Sequence, residues 1–372
     1  MNIHIKTLIL SNFRNYSYAH LEVDIRPVVL VGANGAGKTN ILEAISLLTP
    51  GRGLRRASVS ELDNLHNGKP WALHAEIEGL KGPANIGTGR ECNGNDKRIV
   101  KIDEKTARSH TDLARIFSVL WLTPQMDTLF IEGNSERRKF LDRLVFSFDG
   151  AHATRVNAYE SVMRERNRLL QMGQTDPVWL TALEKKMAEQ GIAIAVARQN
   201  AAEQLNNAMN IPTHVFPKAH IVLSGAVEEL LTQNSALATE NGFRDSLKSS
   251  RAQDAAAGRA LTGVHRTKID VIHKEKNLPA EFCSTGEQKA LLVSIVLAQA
   301  QAGALWHGNV PVMLLDEVAT HLDGTRREAL FTELQALGAQ CWLTGTDHDV
   351  FEGLDAQVLA VDHGSIQAEL FA

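Results

Sequence analysis

Cysteine is scarce in this 372-residue chain, and the little there is forms no pattern. Cys92, Cys283 and Cys341 are odd in number, far apart and contain no C-x-x-C pair. That excludes a disulfide framework and a cysteine-based zinc site, and predicts a reducing, cytoplasmic setting. A leader is not legible either, because residues 1–6 alternate apolar and polar side chains instead of running from a basic segment into an apolar one. The longest uncharged run, residues 290–306, is broken by Ser294, Gln299, Gln301 and Gly303 and is shorter than a typical membrane-spanning helix. It predicts a buried helix and no membrane association. Positive charge is not in excess: the net charge is −4 and the sequence pI about 6.4, so any contact with nucleic acid must be a local patch. Candidate clusters are Arg52/Arg55/Arg56, Arg137/Arg138/Lys139/Arg143, Arg164/Arg166/Arg168 and His265/Arg266/Lys268, each of which taken alone reads as a solvated helix face. There is no internal repeat or low-complexity tract. The nearest approach, Ala255-Ala256-Ala257, reads as part of a flexible link.

What is present is a phosphate-binding pattern. Residues 32–39 read Gly32-Ala33-Asn34-Gly35-Ala36-Gly37-Lys38-Thr39, a complete G-x-x-x-x-G-K-[ST] loop directly after the apolar run Val28-Val29-Leu30-Val31. Glycines let backbone N–H groups close around phosphate oxygens, Lys38 reaches the β/γ phosphates, and Thr39 offers a hydroxyl to Mg²⁺. The helix opening at Asn40-Ile41-Leu42-Glu43-Ala44-Ile45 points its positive dipole end at the anion. The pattern predicts binding of a nucleoside triphosphate.

At 40.8 kDa and 44% hydrophobic residues, the chain is long enough for two core-bearing units. Three zones are legible. The first, 1–133, carries short β-like runs at 3–10, 21–31, 73–77, 99–102 and 117–122, and predicts a mixed sheet around the phosphate loop. The second, 134–260, turns helical: Phe140, Leu141, Leu144 and Val145 recur at helical spacing, and 181–209 is rich in Ala, Glu, Gln and Leu. It reads as an inserted helical lobe. The third, 261–372, returns to strands and helices, with apolar strands at 312–315, 341–344 and 358–361.

That third zone holds two further motifs. Four apolar residues run into Asp316-Glu317, so that one carboxylate can serve a Mg²⁺ shell while the next orients and deprotonates an attacking water. Asp316 is the expected metal-side group and Glu317 the expected base. Upstream, Ser284-Thr285-Gly286-Glu287-Gln288-Lys289 opens a helix, and a Ser and a Gly there make a second anion site: Ser284 and Gly286 would meet phosphate. The same residues also read as a capping box, Ser284 with Glu287, and the two roles are compatible.

Loop, Ser-x-Gly-x-Gln helix and Asp-Glu strand, in this order, resemble the ABC-type ATPase head: an α/β fold with a mixed sheet and, here, a short helical lobe between the phosphate loop and the serine motif. The resemblance implies ATP held between two protomers in a head-to-tail dimer, the serine motif of one closing over the loop of the other. Thr39 and Ser284 lie 245 positions apart, long for a transporter ATPase subunit and too short for the coiled-coil arms of chromosome-maintenance proteins. Leu10-Ser11-Asn12-Phe13-Arg14-Asn15-Tyr16, the loop continuing as Asn-Ile-Leu-Glu-Ala, Glu136-Arg137-Arg138-Lys139-Phe140-Leu141-Asp142 and Gly263-Val264-His265-Arg266 together resemble the RecF family of bacterial recombination mediators, over essentially the whole chain. This implies ATP-dependent binding to gapped or junction-containing DNA, recombinase loading with partner mediators, a role in replication-fork maintenance and SOS induction, and a slow, DNA-stimulated ATPase.

Departures from the family pattern are few. Asp316-Glu317 stands where two aspartates are common, Val264 where proline is usual, and Lys289 where Arg is more familiar. Gln125, after Pro124, stands where a Mg²⁺-sensing glutamine would be. Past the strand at 341–344 the loop reads Gly345-Thr346-Asp347-His348, and Thr346, Asp347 and His348 all stay open as γ-phosphate sensor. Two other functions are weighed. A transporter's energy-coupling subunit is opposed by the helical insertion and the missing switch histidine, and an ABC-headed nuclease by the lack of room for a metal-carboxylate domain before residue 372. Arg55/Arg56 and Arg137/Arg138 are the expected DNA contacts.

Overall fold

The computed structural model describes residues 3–368 apart from 65, 92–95, 108, 148, 174, 175 and 211–214. Cys92 therefore lies outside the described residues, and the other two cysteines are free and buried. Two units divide the fold: Met1–Asp127 with Thr213–Phe216 and Leu292–Ala372, and Thr128–Pro212 with Pro217–Leu291.

In chain order the first unit opens with β1 (His4–Phe13), β2 (Tyr16–Glu22), β3 (Val28–Val31), α1 (Lys38–Ser46), β4 (Ala72–Gly79), β5 (Gly82–Arg90), β6 (Arg98–Ile102), β7 (Lys105–Thr106) and β8 (Val119–Leu122). The second unit contributes α2 (Asn134–Phe146), α3 (His152–Gln171), α4 (Pro177–Ala208), β9 (Ala219–Ser224), α5 (Ala226–Gln233), α6 (Ala236–Ser249), α7 (Arg251–Ala257), β10 (Lys268–His273) and β11 (Leu278–Pro279). Then come α8 (Thr285–His307), which begins in the second unit and ends in the first, β12 (Val312–Leu315), α9 (Gly324–Leu337), β13 (Cys341–Gly345), β14 (Gln357–Asp362) and β15 (Ser365–Ala368).

The first unit has the mixed sheet expected around the phosphate loop, β15-β14-β3-β13-β12-β8, parallel except at its β15 edge, and beside it a second six-stranded sheet not foreseen, β2-β1-β4-β5-β6-β7, antiparallel throughout. Alternation along a strand shows which face is buried but not which strand it pairs with. One core nevertheless joins them, with Leu8, Leu10 and Trp71 of the antiparallel side, Ile41, Leu42 and Ile45 of α1, and Leu314 and Trp342 of the parallel side all buried. A buried amide supplements it. Gln340, just before β13, donates Nε2 to the carbonyls of Ile5 and Asp24 and accepts the Ile5 N–H at 2.9 Å, so its side chain stands in for a stretch of ladder. The strand β5 went unread because Pro83 and three glycines hide its alternation.

The second unit packs α3 and α4 with α6 around Tyr159, Met187, Ala195, Phe243 and Leu247. Two charged networks are buried within it. Arg198 makes a two-bond pair with Asp142, 2.8 Å each, whose Oδ1 also meets His152 Nε2; Arg166 bonds Glu184 and Asp254 and donates to the Leu247 carbonyl. Two expectations fail here. Ala255-Ala256-Ala257 is not a link but the end of helix α7, held by the buried Asp254 and ended by Gly258 in the left-handed conformation. The zone is also not all helical, because β10 pairs with β9 and draws residues beyond 260 into this unit; its boundary falls at 291. No local pattern announces a partner strand 44 positions away.

The uncharged run does form a helix. Thr285–Trp306 is long and apolar enough to span a membrane by composition, yet most of its apolar window is buried in the fold.

Candidate nucleotide-binding site

Parallel strands all end on one edge, and in this unit that edge carries the chemistry. Phosphate-loop residues follow β3, Asp316 and Glu317 follow β12, and Gly345-Thr346-Asp347 close β13. Pro124-Gln125 follow β8, and Gln125 is exposed there. Register brings the ends level: Leu315 pairs with Leu343 and Leu122, and Gly345 with Val31.

Two glycines of the loop are required by close approach. A Cβ on Gly32 would lie 2.1 Å from the Val361 carbonyl oxygen, and Gly37, at φ +117°, would put one 2.5 Å from Asn15 Nδ2. Gly35 faces open space, and Ala33 and Asn34 before it are exposed. Ala33 contributes its carbonyl and Ala36 is buried. Lys38 folds over the loop and donates Nζ to the Gly32 and Ala33 carbonyls at 2.6 and 3.0 Å. Burial pushes its ammonium below the ordinary lysine range, and the Glu317 and Asp316 carboxylates oppose that shift.

The Thr39 hydroxyl donates to both Asp316 oxygens at 3.0 and 3.2 Å, and Thr344 Oγ1 donates to Oδ1 at 2.8 Å. Burial raises the Asp316 carboxyl above the ordinary aspartate range, and the two hydroxyls draw it back. Glu317 is half-buried with φ +53°, a conformation a non-glycine residue adopts where its surroundings hold it. Mg²⁺ fits this donor set: Thr39 and Asp316 offer hard oxygens side by side. No group of three or more His, Cys, Asp or Glu able to hold a metal alone exists among the described residues, so a cation here would share its shell with nucleotide phosphates.

Residues with no sequence-assigned role hold the loop from behind. Asn15 Nδ2 donates to the Ala36 carbonyl and its Oδ1 accepts from Asn40, while Tyr16 donates to the Gly37 carbonyl. Arg14 makes a two-bond pair, 2.9 Å each, with the fully buried Glu43 of α1. The Phe13-Arg14-Asn15-Tyr16 segment is thus a clamp on the phosphate loop and its helix. At the other end of α1, the buried Arg98 donates to the Leu47 and Gly51 carbonyls, a cation against the helix's negative end; burial pushes it down to about 10.

In the second unit, Ser284 caps α8: its Oγ and Glu287 form the expected capping box, and Lys276 holds Glu287 down to about 2. Ser284, Thr285 and Gly286 are exposed, and a Cβ on Gly286 would meet nothing. Thr346 donates to Asp347 at 2.9 Å, and His348 begins the turn that follows.

The expected DNA contacts fare differently. Arg55 donates to Asn40 and Glu43, Arg137 is buried near Asp270 and Glu281, and Arg138 donates to the Thr267 carbonyl. Arg166, in a third cluster, is fully buried. Arg137 and Arg166 are thus internal and Arg138 is half-buried, whereas Arg55 keeps its exposed position, because a run of arginines does not reveal which face of a helix is covered. Arg137→Glu combined with Arg138→Glu should accordingly lower the melting temperature by several degrees, the scale of about 2 kcal/mol in a unit of this size. Unchanged melting with weakened DNA binding would return them to the surface role.

With this geometry in view, the RecF/RecN/SMC N terminal domain family matches residues 4–366. A protein from Mesorhizobium japonicum, named DNA replication and repair protein RecF, is 49% identical over 370 residues, covering 98% of this chain and 97% of that one. The chain belongs to the RecF family. Its ABC-type head fold is that of RecF solved structures too: one, titled as the recombination mediator protein RecF-ATPrS in the RecFOR pathway, superposes with a TM-score of 0.87 at 24% identity, covering 99% of this chain and 98% of that one. An SMC head bound to the C-winged helix domain of ScpA superposes at 0.57 and 14% identity, with coverage of 99% and 98%. The Gly263-Val264-His265-Arg266 motif makes packing contacts within the second unit. Gly263, at φ +139°, leaves no room for a Cβ against Tyr159 Oη, the Val264 carbonyl accepts from Arg198, and His265 Nδ1 meets Tyr159 Oη.

Proposed function

We propose that this chain is an ATP-switched DNA-binding protein of recombinational repair and replication-fork maintenance, with slow, DNA-stimulated ATPase activity, acting in the cytoplasm. ATP would be sandwiched in a head-to-tail homodimer on gapped or single-strand-containing DNA, which would help partner mediators load recombinase and induce the SOS response. The observation carrying the reading is the convergence of Lys38, Thr39, Asp316 and Glu317 on one strand-end edge, in a chain 49% identical to a protein named DNA replication and repair protein RecF. A transporter subunit or nuclease has no such support, since the relatives carry repair names.

Each residue has a part. The N–H groups of residues 33–38 and the α1 dipole would hold the phosphates, and Lys38 would leave the Gly32 and Ala33 carbonyls for the β/γ oxygens. Mg²⁺, when bound, supplies charge for the developing phosphoryl oxygens, with Thr39, Asp316 and Gln125 on the protein side. Glu317 would take the proton of the attacking water. The exposed Ser284 and Gly286 would close over ATP on a second copy, which explains why neither is covered in one chain.

Sedimentation of the purified chain with and without ATP and gapped DNA tests this. Wild type should become dimeric with ATP, more so on DNA. Ser284→Arg should keep ATP affinity within about twofold yet remain monomeric, because a bulky cation fills the space meant for the partner's nucleotide. ATP-induced dimer at wild-type levels in that variant would leave Ser284 as a helix cap alone.

A further inference from the structure

We infer that Thr344 is a positioning residue of the ATPase site, one hydroxyl that sets both the Asp316 carboxylate and the backbone carrying Glu317. The inference rests on the ATPase reading above. Thr344 is 1% exposed, near the end of β13, where the pairing of Leu343 with Leu315 brings it beside the residues that leave β12. A hydroxyl has one hydrogen to donate and lone pairs to accept with. Here the hydrogen goes to Asp316 Oδ1 at 2.8 Å, and the oxygen accepts the Glu317 N–H at 2.9 Å.

Both bonds stand where the sheet stops supplying them. Asp316 N–H still bonds the Leu122 carbonyl on the β8 side, but the next residue turns into the left-handed region at φ +53°, and its N–H goes to a side chain instead of a neighbouring strand. The hydroxyl therefore replaces a ladder bond at the residue proposed as base. Asp316 has a second hydroxyl partner in Thr39. Thr39, however, belongs to the phosphate loop and is the proposed metal-side hydroxyl; once it turns to that task, Thr344 is the donor left to fix the Asp316 side chain. A buried carboxylate that loses a donor, and a part-buried N–H that loses its acceptor, both relax toward other partners. The position of Glu317 and the orientation of Asp316 are thereby coupled through one atom.

The test is Thr344→Val, which keeps the β-branched shape and strand preference but removes the hydroxyl, beside Thr344→Ser, which restores it. In the full chain, Thr344→Val should lower kcat by about tenfold or more, the loss of one hydrogen bond to a charged group. The Mg²⁺ concentration for half-maximal activity should rise several-fold, and ATP affinity measured in EDTA should stay within about twofold. Thr344→Ser should recover most of both losses. Melting temperatures verify folding, and Thr344→Ala replaces valine if that variant does not fold. Wild-type kcat and Mg²⁺ dependence in a folded hydroxyl-less variant would overturn the inference, as would a serine variant as defective as valine. If the wild type binds ATP without turning it over, the ATPase reading fails separately. The Mg²⁺-dependent gain in ATP affinity then reads the same role, and equal gains in wild type and Thr344→Val overturn it.

Discussion

Glu317→Gln should leave ATP binding within about twofold while cutting turnover by about 10²–10⁴-fold, the range that a positioned general base contributes. In barrier terms that is about 3–5 kcal/mol. The amide matches the carboxylate in size, so the left-handed turn at φ +53° and the N–H bond to Thr344 should survive, and Asp316 with its two hydroxyl donors is untouched. Only the ability to accept a proton is lost. Single-turnover phosphate release measures the step, and the lifetime of the ATP-bound dimer on gapped DNA should lengthen in parallel. Unaffected turnover would make Glu317 a structural acid and move the base elsewhere.

Lys38→Ala should weaken ATP binding by about 10²-fold or more, since charge-assisted bonds to phosphate contribute about 1.5–3 kcal/mol each. Without nucleotide the change should be mild: the ammonium bonds the carbonyls of Gly32 and Ala33, at the half-buried to exposed start of the loop, where water can take its place. The contrast makes a thermal-shift experiment decisive. At ATP concentrations 100 times its dissociation constant, wild type gains about 2.7 kcal/mol of stability and the variant should gain almost none. Equal ATP-induced stabilisation in both would sink the role given to the loop. Arg55, bonded to Asn40 and Glu43, is one nearby cation that could blunt the loss, so a residual affinity abolished by adding Arg55→Ala would identify it.

The helical face Phe140, Leu141, Leu144 and Val145 was legible because burial of one side of a helix imposes a period on the chain, and all four are buried. The loop at 32–39, the Asp316-Glu317 strand and the capping box at Ser284 were legible for a related reason. Their chemistry needs particular residue types at fixed short spacing, so the pattern is local. The arginine run at Arg137 misled because charge in a sequence carries no direction. Whether a guanidinium faces water or carboxylates 133 and 144 positions away, as Asp270 and Glu281 are from Arg137, depends on folding. Thr344 gave no sign at all, since one threonine in a strand looks like any other.

Taken by itself, then, the sequence determined the nucleotide loop, the two carboxylates, the serine-capped helix and the family, each encoded in residues close together in the chain or in their order along it. Tertiary structure alone decided that the strands split into two sheets and that β10 joins β9 instead of the core. It also decided that Asn15 clamps the loop 21 positions on and Arg14 the helix 29 positions on, and that Thr39, Asp316 and Thr344 meet at one point from 277 and 28 positions apart. The reason is physical: pairing partners and buried hydrogen bonds are chosen by what the collapsed chain brings into contact, and that choice is made by the whole core at once.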